Sequence, residues 1–273
     1  MGFWKKPASE TQITHGDRLW LYVVALVIML LMIIPTVIVV PMSFSDSQYL
    51  EFPPSHWSLR WYEEYFDSAK WMRSTMTSFQ IGVLTMLVAT PLGTMAAYAL
   101  YVSEHRAART IFVFLITPMI VPVILIAIGT FYVFGQLGLN NTIGGLVLAH
   151  TSLATPLVMI IITAALRTYD LNQEQVARSL GASRLKAFFL ITLPQIRFSI
   201  LTAALLSFLT SFDEVIISIF ISGGVNATLT KQMFSALRDY IDPTIAAIST
   251  IMVFISTTLL LATQFFKARQ EKK

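Results

Sequence analysis

Cysteine is absent from the 273 residues, which excludes disulfides, thiolate metal sites and cysteine nucleophiles. Charge is scarce: only 12% of the residues are Asp, Glu, Lys or Arg, where a soluble domain carries roughly 25%. A soluble enzyme is therefore not the default reading. Charge is also missing in blocks, since none of these four residues occurs in 19–45, 74–103, 110–166 or 243–266. No Gly-x4-Gly-Lys-Ser/Thr phosphate loop is present, so any ATP hydrolysis that powers this protein resides in another chain. A His-Glu-x-x-His string is missing too, and His15, His56, His105 and His150 do not stand at ligand spacing, which argues against a metal site. No internal repeat is visible, unlike many secondary transporters.

What the chain does have is apolar length: 55% of it is hydrophobic and its mean hydropathy is +0.69. A bilayer-spanning helix needs only about 20 apolar residues. The stretch 110–166 is long enough for two spans, and Gly135, Gly138, Asn140, Asn141, Gly144 and Gly145 mark a turn in its middle. An apolar stretch near 198–222 is interrupted only by Asp213 and Glu214. These runs predict an all-α integral membrane protein with six spans, near 19–42, 74–102, 110–134, 145–166, 198–222 and 243–265. With both ends on one side, that side collects fourteen Lys and Arg (Lys5, Lys6, Arg18, Arg106, Arg109, Arg167, Arg178, Arg184, Lys186, Arg197, Lys267, Arg269, Lys272, Lys273), and the other side five (Arg60, Lys70, Arg73, Lys231, Arg238). The positive-inside rule makes the first side cytoplasmic. The domain reading is an inner tail 1–18, a membrane domain 19–266 and an inner tail 267–273. The first span exceeds the 7–15-residue core of a cleavable signal and is expected to be retained as an anchor.

Asp213 and Glu214 are the only acids inside a predicted span, and a charged Asp at the bilayer centre costs roughly 2.5 to 3.5 kcal/mol on insertion scales. At 100° per residue, Ser207, Ser211, Glu214, Ser218 and Ser222 fall on a stripe about 80° wide, with Asp213 one step around beside Thr210. The stripe reads as the wall of a polar path. For a cationic cargo the two acids would supply counter-charge, and Phe208 or Phe212 would add a cation–π contact of about 0.5 to 2 kcal/mol. The competing reading has the serines serving helix packing and the acids capping, pairing or protonated. His150, Thr151 and Thr155 are placed to line the same path or to bond locally. Pro118 and Pro122 are expected to bend the third span, and Ala89, Gly93 and Ala97 to allow close helix contact. In the outer segment, Trp57, Trp61 and Tyr62 suit the membrane interface.

The long inner loop, 167–197, begins Arg167-Thr-Tyr-Asp-Leu-Asn-Gln-Glu-Gln-Val-Ala-Arg-Ser-Leu-Gly181. Asp170 or Asn172 is able to cap a helix. Leu171, Val176 and Leu180, with Glu174 and Arg178 between them, give a short amphipathic helix ending at Gly181. A second helical stretch carries Leu185, Phe188 and Phe189 and is expected to stop at Pro194. From composition alone this is either an interfacial helix on anionic lipid or a plug for a groove in a partner protein.

Gly181, followed after nine residues by Ile191-Thr-Leu-Pro194 and preceded by Gln175-Val-Ala-Arg-Ser-Leu, resembles the EAA loop of the membrane subunits of ABC importers, Glu-Ala-Ala, three residues, Gly, nine residues, Ile-x-Leu-Pro. It departs at the start, where Gln175 and Val176 replace Glu and Ala, Ala177 is retained, and Glu174 stands one position early. The resemblance implies a type I ABC importer permease fold and a coupling helix seated in a cleft of an ATP-binding subunit. The coupling residues it implies are Glu174, Gln175, Ala177, Arg178, Gly181, Ala182, Ser183, Leu193 and Pro194. Ser58-Leu-Arg-Trp-Tyr-Glu63, the prolines of 118–122, Ser211-Phe-Asp-Glu-Val-Ile-Ile-Ser-Ile-Phe220 and the segment 237–247 are further similar to permeases of the spermidine/putrescine importer class. That resemblance implies a bacterial inner-membrane permease paired with a second permease subunit, two ATP-binding subunits that hold ATP and magnesium, and a periplasmic substrate-binding protein. It implies no cofactor in this chain. Relatives of the class carry opines, amino-acid derivatives and other small solutes, and an ion-coupled carrier with Asp213 and Glu214 as its ion site stands as the competing class.

Overall fold

The computed structural model describes residues 15–103 and 105–270, with side chains through 259 and at 261. Residues 1–14, Glu104 and 271–273 lie outside the described residues, and with them most of the first predicted tail and part of the second, including Lys5, Lys6, Lys272 and Lys273. The described chain is helical, and its only β feature is an isolated antiparallel bridge between Ser45 and Trp57.

Contacts divide the chain into two units, 1–65 with 241–253 and 66–240 with 254–273. In the first, α1 (Leu19–Met42) buries no residue on any face. A helix apolar all round and exposed all round is built for hydrocarbon. After it, the chain folds back on itself. The Ser43 hydroxyl donates to the Val40 carbonyl at 2.6 Å and lies 2.7 Å from the Tyr62 hydroxyl. Phe44 packs between Trp57 and Tyr62, with ring centroids 6.3 and 5.2 Å away. Glu51 accepts the Ser55 hydroxyl at 2.5 Å and the Ser45 hydroxyl at 3.1 Å, bonds that hold its carboxyl below the usual carboxylate range. The aromatic residues expected to form a membrane-interface belt thus divide: Trp57 is exposed, Trp61 is buried and Tyr62 is tied to Ser43.

In the second unit, α3 (Ala69–Tyr101), α6 (Ile143–Thr168) and α10 (Arg197–Phe212) pack against one another. Ser68 caps α3 by accepting the Trp71 N–H at 3.5 Å, so this helix starts five residues before the predicted 74. The Thr142 side chain caps α6 at the Gly145 N–H, 3.0 Å. The buried face of α3 carries Ser74, Thr77, Ser78, Gly82, Thr85, Ala89, Thr90, Gly93, Thr94 and Ala97, whereas Met72, Met76, Phe79, Leu87, Leu92 and Met95 are exposed. In water this distribution is inside out. In lipid it is favourable, because apolar side chains lose nothing by facing tails and small polar residues let helices approach closely. A Cβ on Gly93 would lie 2.7 Å from Val158 Cβ, so the contact between α3 and α6 depends on its absence.

Two predicted spans are broken. The third is α4 (Ala108–Ile116) with a 3-10 turn to Met119, then α5 (Val123–Leu137), bent by 91° between them. Pro122 donates no N–H and disfavours helix at Val121, so the chain turns there rather than merely kinking. The fifth is α10 and then α11 (Ile216–Ile221), with helical order lost over 213–215. Among the described residues three helices, α1, α3 and α6, are each long and apolar enough to cross a membrane; counting each of two bent pairs, 108–119 with 123–137 and 184–195 with 197–212, as one span makes five. The last helix is α13 (Thr244–Gln270), and over Thr244–Leu259, where its side chains are described without a break, it forms a shorter apolar helix.

Candidate coupling loop and translocation path

The loop after α6 is built from two short helices and a π turn. The Asp170 carboxylate accepts the Asn172 N–H at 3.0 Å, starting α7 (Asn172–Ser179). Gly181, at φ +94°, ends it: its own N–H donates to Arg178 and the Ala182 N–H to the Ala177 carbonyl, at 3.0 and 3.1 Å. This is the left-handed helix end that favours glycine. Ser183 then caps α8 (Arg184–Ala187) by accepting the Lys186 N–H at 3.3 Å.

A π-helical segment, Phe188–Thr192, leads into α9 (Leu193–Gln195). The helical run therefore continues through Pro194 instead of stopping there. A π turn widens the backbone ahead of a proline that has no N–H to give and a ring that crowds the preceding turn. The run breaks at Ile196 and α10 leaves at 78°.

The apolar ridge of α7 faces outward, with Val176 59% and Leu180 84% exposed, whereas Glu174 turns inward and is 4% exposed. The carboxylate is buried because two hydroxyls reach it: the Tyr98 OH donates to Oε1 at 2.6 Å and the Thr192 OH to Oε2 at 2.9 Å. Tyr98 belongs to the last turn of α3, and its ring lies 4.4 Å from that of Phe188. Tyr98, Phe188, Leu166 of α6 and Ala203 of α10 share one core cluster. A single buried carboxylate thus ties the loop to the helix bundle. Of the other residues expected to couple to a partner, Gln175, Arg178, Gly181, Ser183 and Pro194 are exposed, and Ala177, Ala182 and Leu193 are half-buried. Tyr98 and Thr192 were not legible as partners, since nothing in residues 76 and 18 positions away from Glu174 signals the contact.

The residues predicted to line a path do not form one stripe. Ser207 and Ser211 lie on α10, Ser218 on α11, and Asp213 and Glu214 in the break between them. The Glu214 carboxylate accepts the Ile217 N–H at 2.9 Å and so caps α11, while the Thr230 hydroxyl holds the Glu214 carbonyl at 2.9 Å. Short acidic side chains compete with helical bonding in this way when a new helix start lies within reach. Asp213 is exposed and Glu214 half-buried.

Ser211 meets His150 and Thr85 instead. Its hydroxyl donates to Thr85 Oγ1 at 3.3 Å and lies 2.8 Å from His150 Nδ1, joining α3, α6 and α10 through one buried polar contact. Ser207 Oγ and Ser218 Oγ are buried with no hydrogen-bond partner among the described residues. Phe208 stacks on Phe212, 5.4 Å between centroids, and meets Phe79 edge-on at 5.9 Å. Its ring occupies the space above Gly82 of α3. Both rings line an apolar cavity of about 460 Å³ with Met72, Met76 and Met86. No three His, Asp or Glu side chains come together as a metal site among the described residues.

Comparison with known proteins bears on this arrangement. Residues 89–273 match the family described as binding-protein-dependent transport system inner membrane component. The putrescine transport system permease protein PotI of Escherichia coli strain K12 is 31% identical over 93% of this chain and 92% of its own length. The spermidine/putrescine transport system permease protein PotC of Haemophilus influenzae is 30% identical over 85% of this chain and 90% of its own. Among solved structures, a bacterial alginate ABC transporter in complex with an alginate pentasaccharide-bound periplasmic protein has a chain with a TM-score of 0.69 and 14% identity, covering 94% of this chain and 97% of that one. An amino acid ABC transporter chain gives 0.54 and 22%, over 76% and 95%. The chain belongs to the binding-protein-dependent transport system inner membrane component family, the permease subunits of ABC importers, and is a transport component rather than an enzyme.

Proposed function

We propose that this chain forms half of the translocation path of an ATP-driven, binding-protein-dependent importer whose cargo is a small cationic solute, most simply a polyamine such as spermidine or putrescine. The observation that carries this reading is the similarity over most of the chain to two permeases named for putrescine and for spermidine/putrescine. An exposed carboxylate at a break between two helices is chemically suited to an ammonium cargo. Asp213 offers one, and Glu214 beside it spends one oxygen on the start of α11. Asp213 is therefore the counter-charge in this reading and Glu214 the residue that shapes the turn.

The chain sits in the bacterial inner membrane with the loop 167–197 and both termini in the cytoplasm. A second, different permease subunit completes the path, a periplasmic protein delivers the cargo, and two ATP-binding subunits hold ATP and magnesium and supply the driving force; this chain binds no cofactor. The docking face is Val176, Leu180 and Leu185, apolar and exposed, flanked by Arg178, Arg184 and Lys186. Push on that face reaches α3 through Glu174 and Tyr98.

The test is uptake of labelled spermidine and putrescine into membrane vesicles, with and without ATP, by the wild-type importer and by Gly181→Trp. ATP-dependent uptake lost in the variant supports both the coupling loop and the substrate class. Uptake driven by an ion gradient without ATP overturns the importer reading, and ATP hydrolysis stimulated by other solutes but not by polyamines overturns the cargo.

A further inference from the structure

A cavity of about 360 Å³ opens between the last turn of α3, the turn into α4 and the last turns of α6. None of the transport chemistry above uses it. Arg106, Arg109 and Arg167 line it and are exposed, while Leu100, Tyr101 and Phe112 line it half-buried. No carboxylate pairs with these guanidinium groups among the described residues. His105 takes the N–H groups of Ala107 and Ala108, but no side chain caps the N–H groups that follow in the first turn of α4, and these add to the positive field at the same spot. Three planar fork donors around one concavity match the geometry of a phosphate oxyanion.

The surroundings select the source of that phosphate. α3 and α6 are both long and apolar enough to span, so the ends that frame the cavity stand at headgroup depth. Its half-buried walls, Leu100 and Phe112, are apolar where a soluble anion would gain nothing and an acyl chain would gain contact. Basic pockets between the ends of spanning helices are suited to anionic lipid headgroups. We propose that this cavity binds a phosphate group presented by an anionic phospholipid, held by Arg106, Arg109 and Arg167. Ala97, in the cavity wall, precedes the Tyr98 that anchors the coupling loop, so occupancy braces the end of α3 on which that loop bears.

The test is native mass spectrometry of the full chain in detergent, with phosphatidylglycerol and phosphatidylcholine of identical acyl chains added in turn. Retention of phosphatidylglycerol is expected to exceed that of phosphatidylcholine about fivefold or more. The variant Arg106→Gln, Arg109→Gln, Arg167→Gln is expected to equalise the two lipids. Removal of two cations in the first turns of α3, at the other end of that helix from the cavity, Lys70→Gln, Arg73→Gln, is expected to leave the preference intact. If the triple cavity variant fails to fold, Arg109→Gln alone is expected to lower the preference about twofold. Persistence of the preference in the cavity variant, or its equal loss in the distal one, overturns the site. Full displacement by excess inorganic phosphate overturns the lipid as its source, and release of lipid when the ATP-binding subunits assemble assigns the arginines to that interface instead.

Discussion

The Tyr98 hydroxyl donates to the Glu174 carboxylate at 2.6 Å, joining the last turn of the 33-residue α3 to the first turn of the coupling loop's α7. Thr192 holds the other oxygen at 2.9 Å, so the loop is bolted at both of its ends by one side chain. Removing the carboxylate strands two buried hydroxyls, each at a cost of about 1 to 3 kcal/mol, whereas Gln keeps an acceptor and loses only the charge-assisted part. Glu174→Ala is expected to lower the ATPase stimulation by loaded binding protein about tenfold, with Glu174→Gln intermediate. Assembly with the ATP-binding subunits is expected to persist, because Val176, Leu180 and Leu185 are untouched. Co-purification together with stimulated ATPase rates checks this, and normal stimulation in Glu174→Ala removes Glu174 from the transmission line.

The division of labour between Asp213 and Glu214 gives a second expectation. Glu214→Gln retains an oxygen for the Ile217 N–H, so α11 keeps its start. Asp213→Asn deletes an exposed charge that makes no such bond. In the polyamine reading, Asp213→Asn raises the half-saturating cargo concentration about tenfold, equivalent to roughly 1.4 kcal/mol of lost counter-charge, and Glu214→Gln changes it much less. The reverse order, measured as transport against cargo concentration in vesicles, places the cargo on Glu214.

Much of the plan of this protein is written in its sequence, and the parts that are not have specific causes. The charge-free run 19–45 contains α1 whole, because nothing but hydrocarbon tolerates such a stretch. Gly181 is legible as a helix end, because a left-handed helix end is a local requirement that glycine meets. The break at 213–215 is not legible: no Pro or Gly stands there, and the helical stripe through Ser207, Ser211, Glu214 and Ser218 is intact on paper. What ends the helix is a carboxylate choosing a new helix start and Thr230 catching a carbonyl from sixteen residues away. The burial of Glu174 is hidden for the same reason, since a charge on an amphipathic helix reads as solvent-facing until its hydroxyl partners are known. The seam of Ser and Thr along α3 hides its own meaning, because the usual rule that polar faces outward is inverted in lipid.

The outer segment carries a pH expectation. Glu51 is held below its ordinary value by the Ser55 hydroxyl first and the Ser45 hydroxyl second. A depressed carboxyl stabilises the folded segment fully above the ordinary carboxylate range, and that contribution is lost as pH falls through the depressed value. The difference in tryptophan emission between wild type and Glu51→Gln, reporting on Trp57 and its neighbours, is therefore expected to stay constant from about pH 7 to about pH 5 and to shrink only at lower pH. A difference that vanishes well above the carboxylate range would detach Glu51 from the order of the segment.

The contact between α3 and α6 supplies the last expectation. A Cβ at position 93 would come within 2.7 Å of Val158 Cβ, closer than the atoms can stand, and within 3.1 Å of the Thr155 carbonyl, a tight contact. Val158 is fully buried in the cluster that also holds Tyr98, so a displaced α6 disturbs the coupling anchor as well as the packing. Overpacking of this kind costs about 1 to 3 kcal/mol. Gly93→Ala is therefore expected to lower the melting temperature of the purified chain in detergent, and Gly93→Leu to prevent its assembly. Shortening the opposing side chain to alanine removes the Val158 Cγ1 contact but leaves the Val158 Cβ and the Thr155 carbonyl in place. The double variant Gly93→Ala, Val158→Ala is accordingly expected to recover part, and not all, of the lost stability. If instead the two single changes add independently in thermal melts, the helices are not in contact through this pair, because residues that share a contact couple by about 0.5 kcal/mol or more.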